Sequence, residues 1–147
     1  MSQTPSQTVG PFFGYALPYA EGPLVVPEDH PDAIELRGRV LDGAGEPVAD
    51  ALLEICQPGL FGRGETGADG SYRFRTARPD GYIPLLIFAR GLLKPVWTRV
   101  YLTAEARFPA EVDPSRRSTL VAVPEGERSY RFDVRLQGDG ETVFFAY

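Results

Sequence analysis

Through most of the chain, hydrophobic residues recur at every second position in short stretches that end in glycine and aspartate turns. In the first such stretch, Ile34, Leu36 and Val40 alternate with charged residues. Successive side chains of a strand point to opposite faces, so this spacing is typical of strands with one buried face. Turn signals at residues 42–45 and 68–70 separate neighbouring stretches. The pattern predicts an all-β fold, an antiparallel β-sandwich of about seven to eight strands.

Two segments depart from this alternation. Residues 82–89 are almost continuously apolar, which predicts a strand buried on both faces. Near residue 113 a short helix is predicted, because Asp113 is a good N-cap and Pro114 suits the first helical position. Residues 115–121 contain neither glycine nor proline and can continue it.

The first 33 residues have a different composition from the rest. They hold six of the 14 prolines, and proline fixes φ and donates no backbone hydrogen bond. We therefore divide the chain into a Pro-rich N-terminal arm, residues 1–33, and a β-sandwich domain, residues 34–147. The arm also carries four aromatic side chains, each able to bury ~150–250 Å²: Phe12, Phe13, Tyr15 and Tyr19. Such an arm is expected to lie across a partner's surface or its own domain; a self-packed N-terminal strand is the alternative.

Length and charge limit the possible functions. The chain has 147 residues, which fits one domain, and a net charge of −5. An acidic chain without a basic run is poorly suited to bind nucleic acid or an anionic membrane. The longest apolar stretch, residues 83–89, is far shorter than the ~20 residues of a membrane helix, and residues 1–9 lack a signal-peptide pattern. A cytoplasmic location is expected.

Few residues offer nucleophilic or metal-binding chemistry. With Cys56 and His30 as the only cysteine and histidine, the chain can form neither an internal disulfide nor a site that needs two imidazoles. The seven tyrosines are expected to be core and rim aromatics, and no metal site made by this chain alone is expected. The glycine pairs at residues 62–64 and 138–140 are interpreted as hairpin turns, since neither lies between a strand and a long helix.

Arg90 is the strongest candidate for a binding residue. It follows the apolar run directly and precedes Gly91, whose flexibility would let the side chain enter a cleft. A guanidinium pairs well with a carboxylate because both are planar and can share two hydrogen bonds. The alternative is that Arg90 forms a structural ion pair at a sheet edge.

Several stretches of the sequence match a known family. Four carry most of the match: residues 4–12 (TPSQTVGPF), 53–57 (LEICQ), 86–91 (LIFARG) and 130–145 (YRFDVRLQGDGETVFF). In these stretches the sequence resembles the intradiol ring-cleaving dioxygenases, and most closely the alpha subunits of their heteromeric members. The pair Arg116-Arg117 with Thr119-Leu120 is also similar to the family's short helix.

The resemblance implies a specific activity and partner. In the family, Fe(III) is held by two tyrosines and two histidines of a beta subunit, and the alpha subunit lacks this iron site. The complex uses O2 to cleave 3,4-dihydroxybenzoate (protocatechuate) to 3-carboxy-cis,cis-muconate in aromatic catabolism. The implied assembly is a hetero-oligomer with an iron-bearing beta subunit, and no catalytic residue is expected in this chain alone. The implied substrate-binding residues here, at the alpha–beta interface, are Thr8, Gly10, Pro11 and Arg90.

Departures from the family's pattern are informative. Iron-bearing chains of the family have a His-x-His pair on the strand where this chain has Tyr82 and Pro84. The loops after Gln57 and before Tyr82 are also expected to be short for the family. Two other functions are considered: a standalone β-sandwich binding or interaction module, and an independent enzyme with unusual metal ligands.

Overall fold

A computed structural model of the chain describes Gly10 and residues 16–146. This part of the chain forms nine strands and one 3-10 helix. No helix within it is long and apolar enough to cross a membrane. The strands are β1 (Ala33–Leu41), β2 (Leu52–Gln57), β3 (Leu60–Glu65), β4 (Ser71–Ala77), β5 (Tyr82–Phe88), β6 (Val96–Tyr101), β7 (Val123–Pro124), β8 (Ser129–Arg131) and β9 (Val134–Arg135), and the helix is Pro114–Leu120.

The strands form two sheets. Sheet one has the order β4-β1-β8-β7, with β9 pairing the other end of β1, and sheet two has the order β3-β2-β5-β6. Most pairs are antiparallel, whereas β8 and β9 run parallel to β1. The predicted all-β sandwich is confirmed. Three of its strands have only two or three residues.

Alternate side chains of the two inner faces meet in one core. The largest members are less than 2% exposed, and burying each such side chain contributes about 1.5–3 kcal/mol. They include Leu36, Val40, Leu53, Ile55, Phe74, Ile83, Leu85 and Ile87.

The prediction that residues 82–89 are buried on both faces is wrong. Ile83, Leu85 and Ile87 are fully buried, but Pro84 and Leu86 between them are only half-buried. A sandwich has two layers, so the outer face of a central strand has no third layer to cover it. The apolar run therefore gives sheet two an outer face that is apolar and partly open.

The described part of the arm packs on its own domain. The backbone N–H of Val25 donates to the Arg75 carbonyl, and the N–H of Arg75 donates to the Pro23 carbonyl, both at 2.8 Å. Val26 is 4% exposed. Residues 16–26 therefore lie across their own domain, as one form of the expected arm, and not as the self-packed strand of the alternative. Phe12, Phe13 and Tyr15 lie outside the described residues.

The interpretation of residues 62–64 as a hairpin turn is wrong. They lie inside β3, and the turn from β2 into β3 is made by Pro58 and Gly59, whose φ is +75°. A Cβ on Gly62 would lie 2.4 Å from Val25 Cγ2. The glycine is needed because the arm crosses β3 at this point.

The predicted helix is present as a 3-10 helix. Asp113 accepts hydrogen bonds from the backbone N–H of Ser115 at 2.8 Å and from its hydroxyl at 2.7 Å, and Pro114 is the first helical residue. Leu120 at the helix end is buried beside Tyr101 of β6. The helix is thereby fixed against the end of sheet two.

Candidate functional site

Arg90 lies at the end of a central strand, as its sequence context predicts. β5 ends at Phe88, Ala89 is buried, and the chain then turns at Arg90 and Gly91. Gly91 has a φ of +88°, a conformation that glycine adopts without strain. The Arg90 side chain is 66% exposed at this turn.

The Arg90 guanidinium is paired with Asp50. Its Nε donates to Asp50 Oδ2 at 2.6 Å, and an NH2 hydrogen contacts the same oxygen. The register explains this contact: Leu52 of β2 pairs with Phe88 of β5, so the residues just beyond each strand meet at the same end of sheet two. The ion pair that was the structural alternative for Arg90 is therefore present, and it leaves the remaining guanidinium nitrogen open to solvent.

Of the three arm residues predicted to bind substrate, only Gly10 is described. Its φ is +71°, and a Cβ there would meet no atom within 4 Å. Glycine is thus favoured at this position by its backbone conformation rather than by lack of space. Thr8 and Pro11 lie outside the described residues, and no described contact joins Gly10 to Arg90.

Tyr82 and Pro84 lie on the outer face of sheet two. Pro84 pairs with Arg99 of β6, and Tyr82 pairs with Tyr101. The Arg99 guanidinium carbon lies 4.7 Å from the centroid of the Tyr82 ring. The two positions at which iron-bearing chains of the family are expected to have histidine therefore face an arginine.

These residues do not fit a ferric ion. Proline has no side-chain donor, and the positive charge of Arg99 beside Tyr82 opposes the approach of a second cation. Among Gly10 and residues 16–146, no three His, Cys, Asp or Glu side chains are grouped closely enough to hold a metal ion. His30 lies in a turn, where its Nδ1 accepts the backbone N–H of Asp32 at 3.2 Å.

The outer faces of the two sheets differ in chemistry. On sheet one, arginines and carboxylates form ion pairs such as Arg37 with Glu125 at 2.8 Å and Arg73 with Glu35 at 2.6 Å. On sheet two a cleft of about 320 Å³ is lined mainly by apolar side chains. Phe61, 45% exposed, is part of this cleft, and so is Cys56, which is exposed rather than packed as a small hydrophobe.

Sequence reasoning did not find two residues of these sites. Asp50 was missed because its contact with Arg90 depends on the β2–β5 register, although both residues lie just outside apolar stretches. Arg99 was missed because it is one of several charged residues in an alternating strand. A signal was present, since Arg99 is flanked by Trp97 and Tyr101 at the spacing that places all three on one face.

Comparison with solved structures defines the class of fold. The chain superposes on an intradiol ring-cleavage dioxygenase from Tetranychus urticae with a TM-score of 0.60 and 12% sequence identity, covering 82% of this chain and 90% of that chain. The sandwich described above is thus the fold of the intradiol dioxygenases. No family model matches the sequence.

Full-length relatives define the family more narrowly. The chain is 35% identical to the protocatechuate 3,4-dioxygenase alpha chain of Burkholderia cepacia, over 99% of this chain and 98% of the relative. It is 33% identical to the corresponding alpha chain of Pseudomonas putida, over 100% of this chain and 98% of the relative. The chain belongs to the family of protocatechuate 3,4-dioxygenase alpha chains.

The chain is shorter than the Burkholderia cepacia relative. The alignment with the Burkholderia cepacia chain extends over 192 positions, whereas this chain has 147 residues. The relative therefore has insertions that this chain lacks. Within this chain, the turn between β2 and β3 at Pro58 and Gly59 is tight.

Proposed function

We propose that this chain is the alpha subunit of a heteromeric protocatechuate 3,4-dioxygenase and completes the substrate pocket of an iron-bearing beta subunit. The observation that carries the proposal is the full-length similarity to alpha chains. The reaction is the O2-dependent intradiol cleavage of 3,4-dihydroxybenzoate to 3-carboxy-cis,cis-muconate. Fe(III), held by the beta subunit, would supply the oxidative chemistry. No observation favours a standalone binding module.

Arg90 has the geometry that this role requires. Its guanidinium is exposed, and Asp50 holds it from one edge, which reduces the conformational freedom lost when a ligand binds. The NH1 edge can still donate to the carboxylate of the substrate, which is an anion. In a pocket closed by the partner, water would be excluded and the ionic hydrogen bond strengthened.

The arm is proposed to supply the other wall of the pocket. Residues 16–26 anchor it on the sandwich, so residues 1–15 begin from a fixed point beside β3. Arg63 of β3 marks this point, since it donates to the Leu17 carbonyl at 3.1 Å and pairs with Glu54. Thr8, Gly10 and Pro11 would contact substrate from there. This proposal keeps the division into arm (1–33) and sandwich (34–147), with the arm's second half packed on the sandwich.

The assignment of iron to the partner is tested by metal content. We expect the purified chain alone to be colourless and to contain no stoichiometric iron. The chain co-expressed with a beta subunit that carries two tyrosines and a His-x-His strand should contain about one iron per pair and absorb in the visible, because tyrosinate–Fe(III) charge transfer is coloured. A coloured isolated chain with bound iron would contradict the proposal.

The arm is tested by truncation. Deleting residues 2–15 should leave a folded chain, because the described contacts of the arm begin at Leu17. Binding to the beta subunit should weaken about tenfold, since aromatic anchors contribute strongly to interfaces. Circular dichroism and size-exclusion chromatography with the partner measure the two effects. Deleting only Ser2 and Gln3 is the matched control. Normal assembly and turnover of the longer truncation would show that Thr8, Gly10 and Pro11 have no part in the site.

A further inference from the structure

Arg99 is held by three aromatic rings on the outer face of sheet two. Its guanidinium carbon lies 4.6 Å from the ring centroid of Phe145, 4.7 Å from that of Tyr82 and 5.3 Å from that of Trp97. Rings attract the face of a guanidinium. They leave its edge, where the N–H donors lie, without a partner.

Two buried donors on this face have no acceptor. The Nε of Arg99 and the Nε1 of Trp97 are both inaccessible to solvent and make no hydrogen bond in the described part of the chain. Arg99 also forms no ion pair there, although eight other arginine–carboxylate pairs exist within 4.0 Å. Buried donors in proteins are nearly always satisfied, so a cation and an indole without acceptors here indicate that a group outside the described residues completes this face.

Trp97 and Arg99 line an open cleft of about 450 Å³ between β6 and residues 143–146. Its apolar walls include Val112, Val143 and Phe144, and three charged residues also line it. This volume is ample for a single ring with a carboxyl substituent. Apolar side chains beside the Arg99 cation favour a flat apolar body with one negative charge.

The other charged groups of the cleft lie at its rim. Glu111, Asp113 and Arg116 are exposed there, whereas Arg99 is half-buried. Arg116 lies 3.6 Å from Glu141, a contact that leaves both groups in solvent. Hydrogen bonds from Ser115, together with Arg116 and Arg117 nearby, hold the pKa of Asp113 below its usual range. The named rim groups carry one net negative charge, but they are exposed and screened by water, whereas the half-buried Arg99 makes the floor of the cleft positive.

We propose that this cleft binds a small aromatic carboxylate, with the terminal guanidinium nitrogens of Arg99 pairing the carboxylate and the rings of Trp97 and Phe145 contacting the ligand's ring. Arg99 pairs with Pro84 in β5, whereas Arg90 lies beyond the end of that strand and does not line this cleft. The proposal therefore does not depend on the role of Arg90.

The single tryptophan makes the site directly observable. Trp97 is the only tryptophan of the chain, so its fluorescence reports on the cleft. We expect benzoate, added to the full-length chain without its partner, to change Trp97 emission with saturation in the millimolar range or below. Benzamide has the same ring and nearly the same shape but no charge, and should bind at least about tenfold more weakly. No saturable response to benzoate, or equal affinity for benzamide, overturns the proposal.

Substitution of Arg99 tests the same point. Arg99→Gln should weaken benzoate binding about tenfold or more, because a charge-assisted hydrogen bond is lost while Trp97 remains as the probe. Arg128→Gln, an exposed arginine with no described side-chain contact, is the matched control and should bind benzoate like the unaltered chain. If Arg99→Gln does not fold, Arg99→Lys keeps the charge but not the bidentate geometry and should still weaken binding.

A different source of the carboxylate would give a different result. If an acidic side chain of the beta subunit filled the cleft, Arg99→Gln would reduce co-purification with that subunit, while the isolated chain would not distinguish benzoate from benzamide. That combination also overturns the proposal. Unchanged benzoate affinity in a folded Arg99→Gln variant overturns it as well.

Discussion

Replacing Gly38 by alanine is expected to destabilise the chain by about 3 kcal/mol or more, at the upper end of the cost of overpacking. A Cβ at this position of β1 would lie 1.8 Å from the Phe132 carbonyl oxygen and 2.6 Å from its carbon. These are backbone atoms, so no side-chain rotation relieves the clash. The large expected loss follows from how firmly that backbone is held.

Three hydrogen bonds fix the backbone around Phe132. Its N–H donates to the Arg37 carbonyl at 2.7 Å, its carbonyl accepts from the Tyr72 hydroxyl at 2.5 Å, and Asp133 accepts from the N–H of Arg39 at 3.0 Å. Burial, and secondarily the charge of Asp133, raise the pKa of Tyr72 above its ordinary value, so its hydroxyl remains a donor. Moving the segment away from an alanine would break this set of contacts.

Urea unfolding of the full-length chain measures the effect. Gly126→Ala is the matched control, since a Cβ there would have only Ser129 Cβ at 3.9 Å as a neighbour, and a change within about 0.5 kcal/mol is expected. Equal unfolding midpoints for Gly38→Ala and the unaltered chain would show that β1 and the Phe132 segment are not held together as described.

The strands could be predicted because, in a two-layer sandwich, every second residue of a strand is buried. Ile34, Leu36 and Val40 are all buried, as their alternation indicates. The burial of β5 could not be read from its residues alone. A continuous apolar run fits both a strand that is covered on two sides and a strand whose outer face is uncovered. Only the number of layers in the fold distinguishes the two cases.

Long-range pairing explains the remaining errors. Glycines at Gly62 and Gly64 suggest a turn when only their neighbours in sequence are considered, but residues 22–25 cross β3 there and exclude a side chain. Likewise, the partner of Arg90 follows from the register of β2 against β5 and not from any local motif. The turn that does connect β2 and β3, at Pro58 and Gly59, has the ordinary composition of a hairpin.

The candidate site was predictable to different degrees. The position of Arg90 after a buried strand follows from the local sequence. Its side chain is exposed at the end of that strand, as a binding role requires. The aromatic enclosure of Arg99 joins residues of β5, β6 and the last described segment. Such a site depends on three segments meeting, which one strand's pattern does not reveal.

Substitution of Arg90 by alanine is expected to lower kcat/KM of the reconstituted complex for 3,4-dihydroxybenzoate tenfold to hundredfold. A hydrogen bond to a charged group contributes about 1.5–3 kcal/mol. The bond between Arg90 and the substrate carboxylate would be lost in both the bound state and the transition state. The free energy of unfolding should change little, because a largely exposed ion pair such as Arg90–Asp50 contributes at most about 1 kcal/mol.

Two comparisons separate substrate binding from the ion pair. Asp50→Asn weakens the same pair but keeps the guanidinium, so it should reduce kcat/KM far less than Arg90→Ala, with thermal melting reporting the stability of both. With 1,2-dihydroxybenzene, which has no carboxylate, Arg90→Ala should cost little further activity, because the proposed partner of the guanidinium is missing. The opposite result would be that Arg90→Ala lowers kcat/KM equally for both substrates, or that Asp50→Asn lowers it as much as Arg90→Ala. Either result would limit Arg90 to a structural role at the end of sheet two. Another residue of the pocket would then have to recognise the carboxylate.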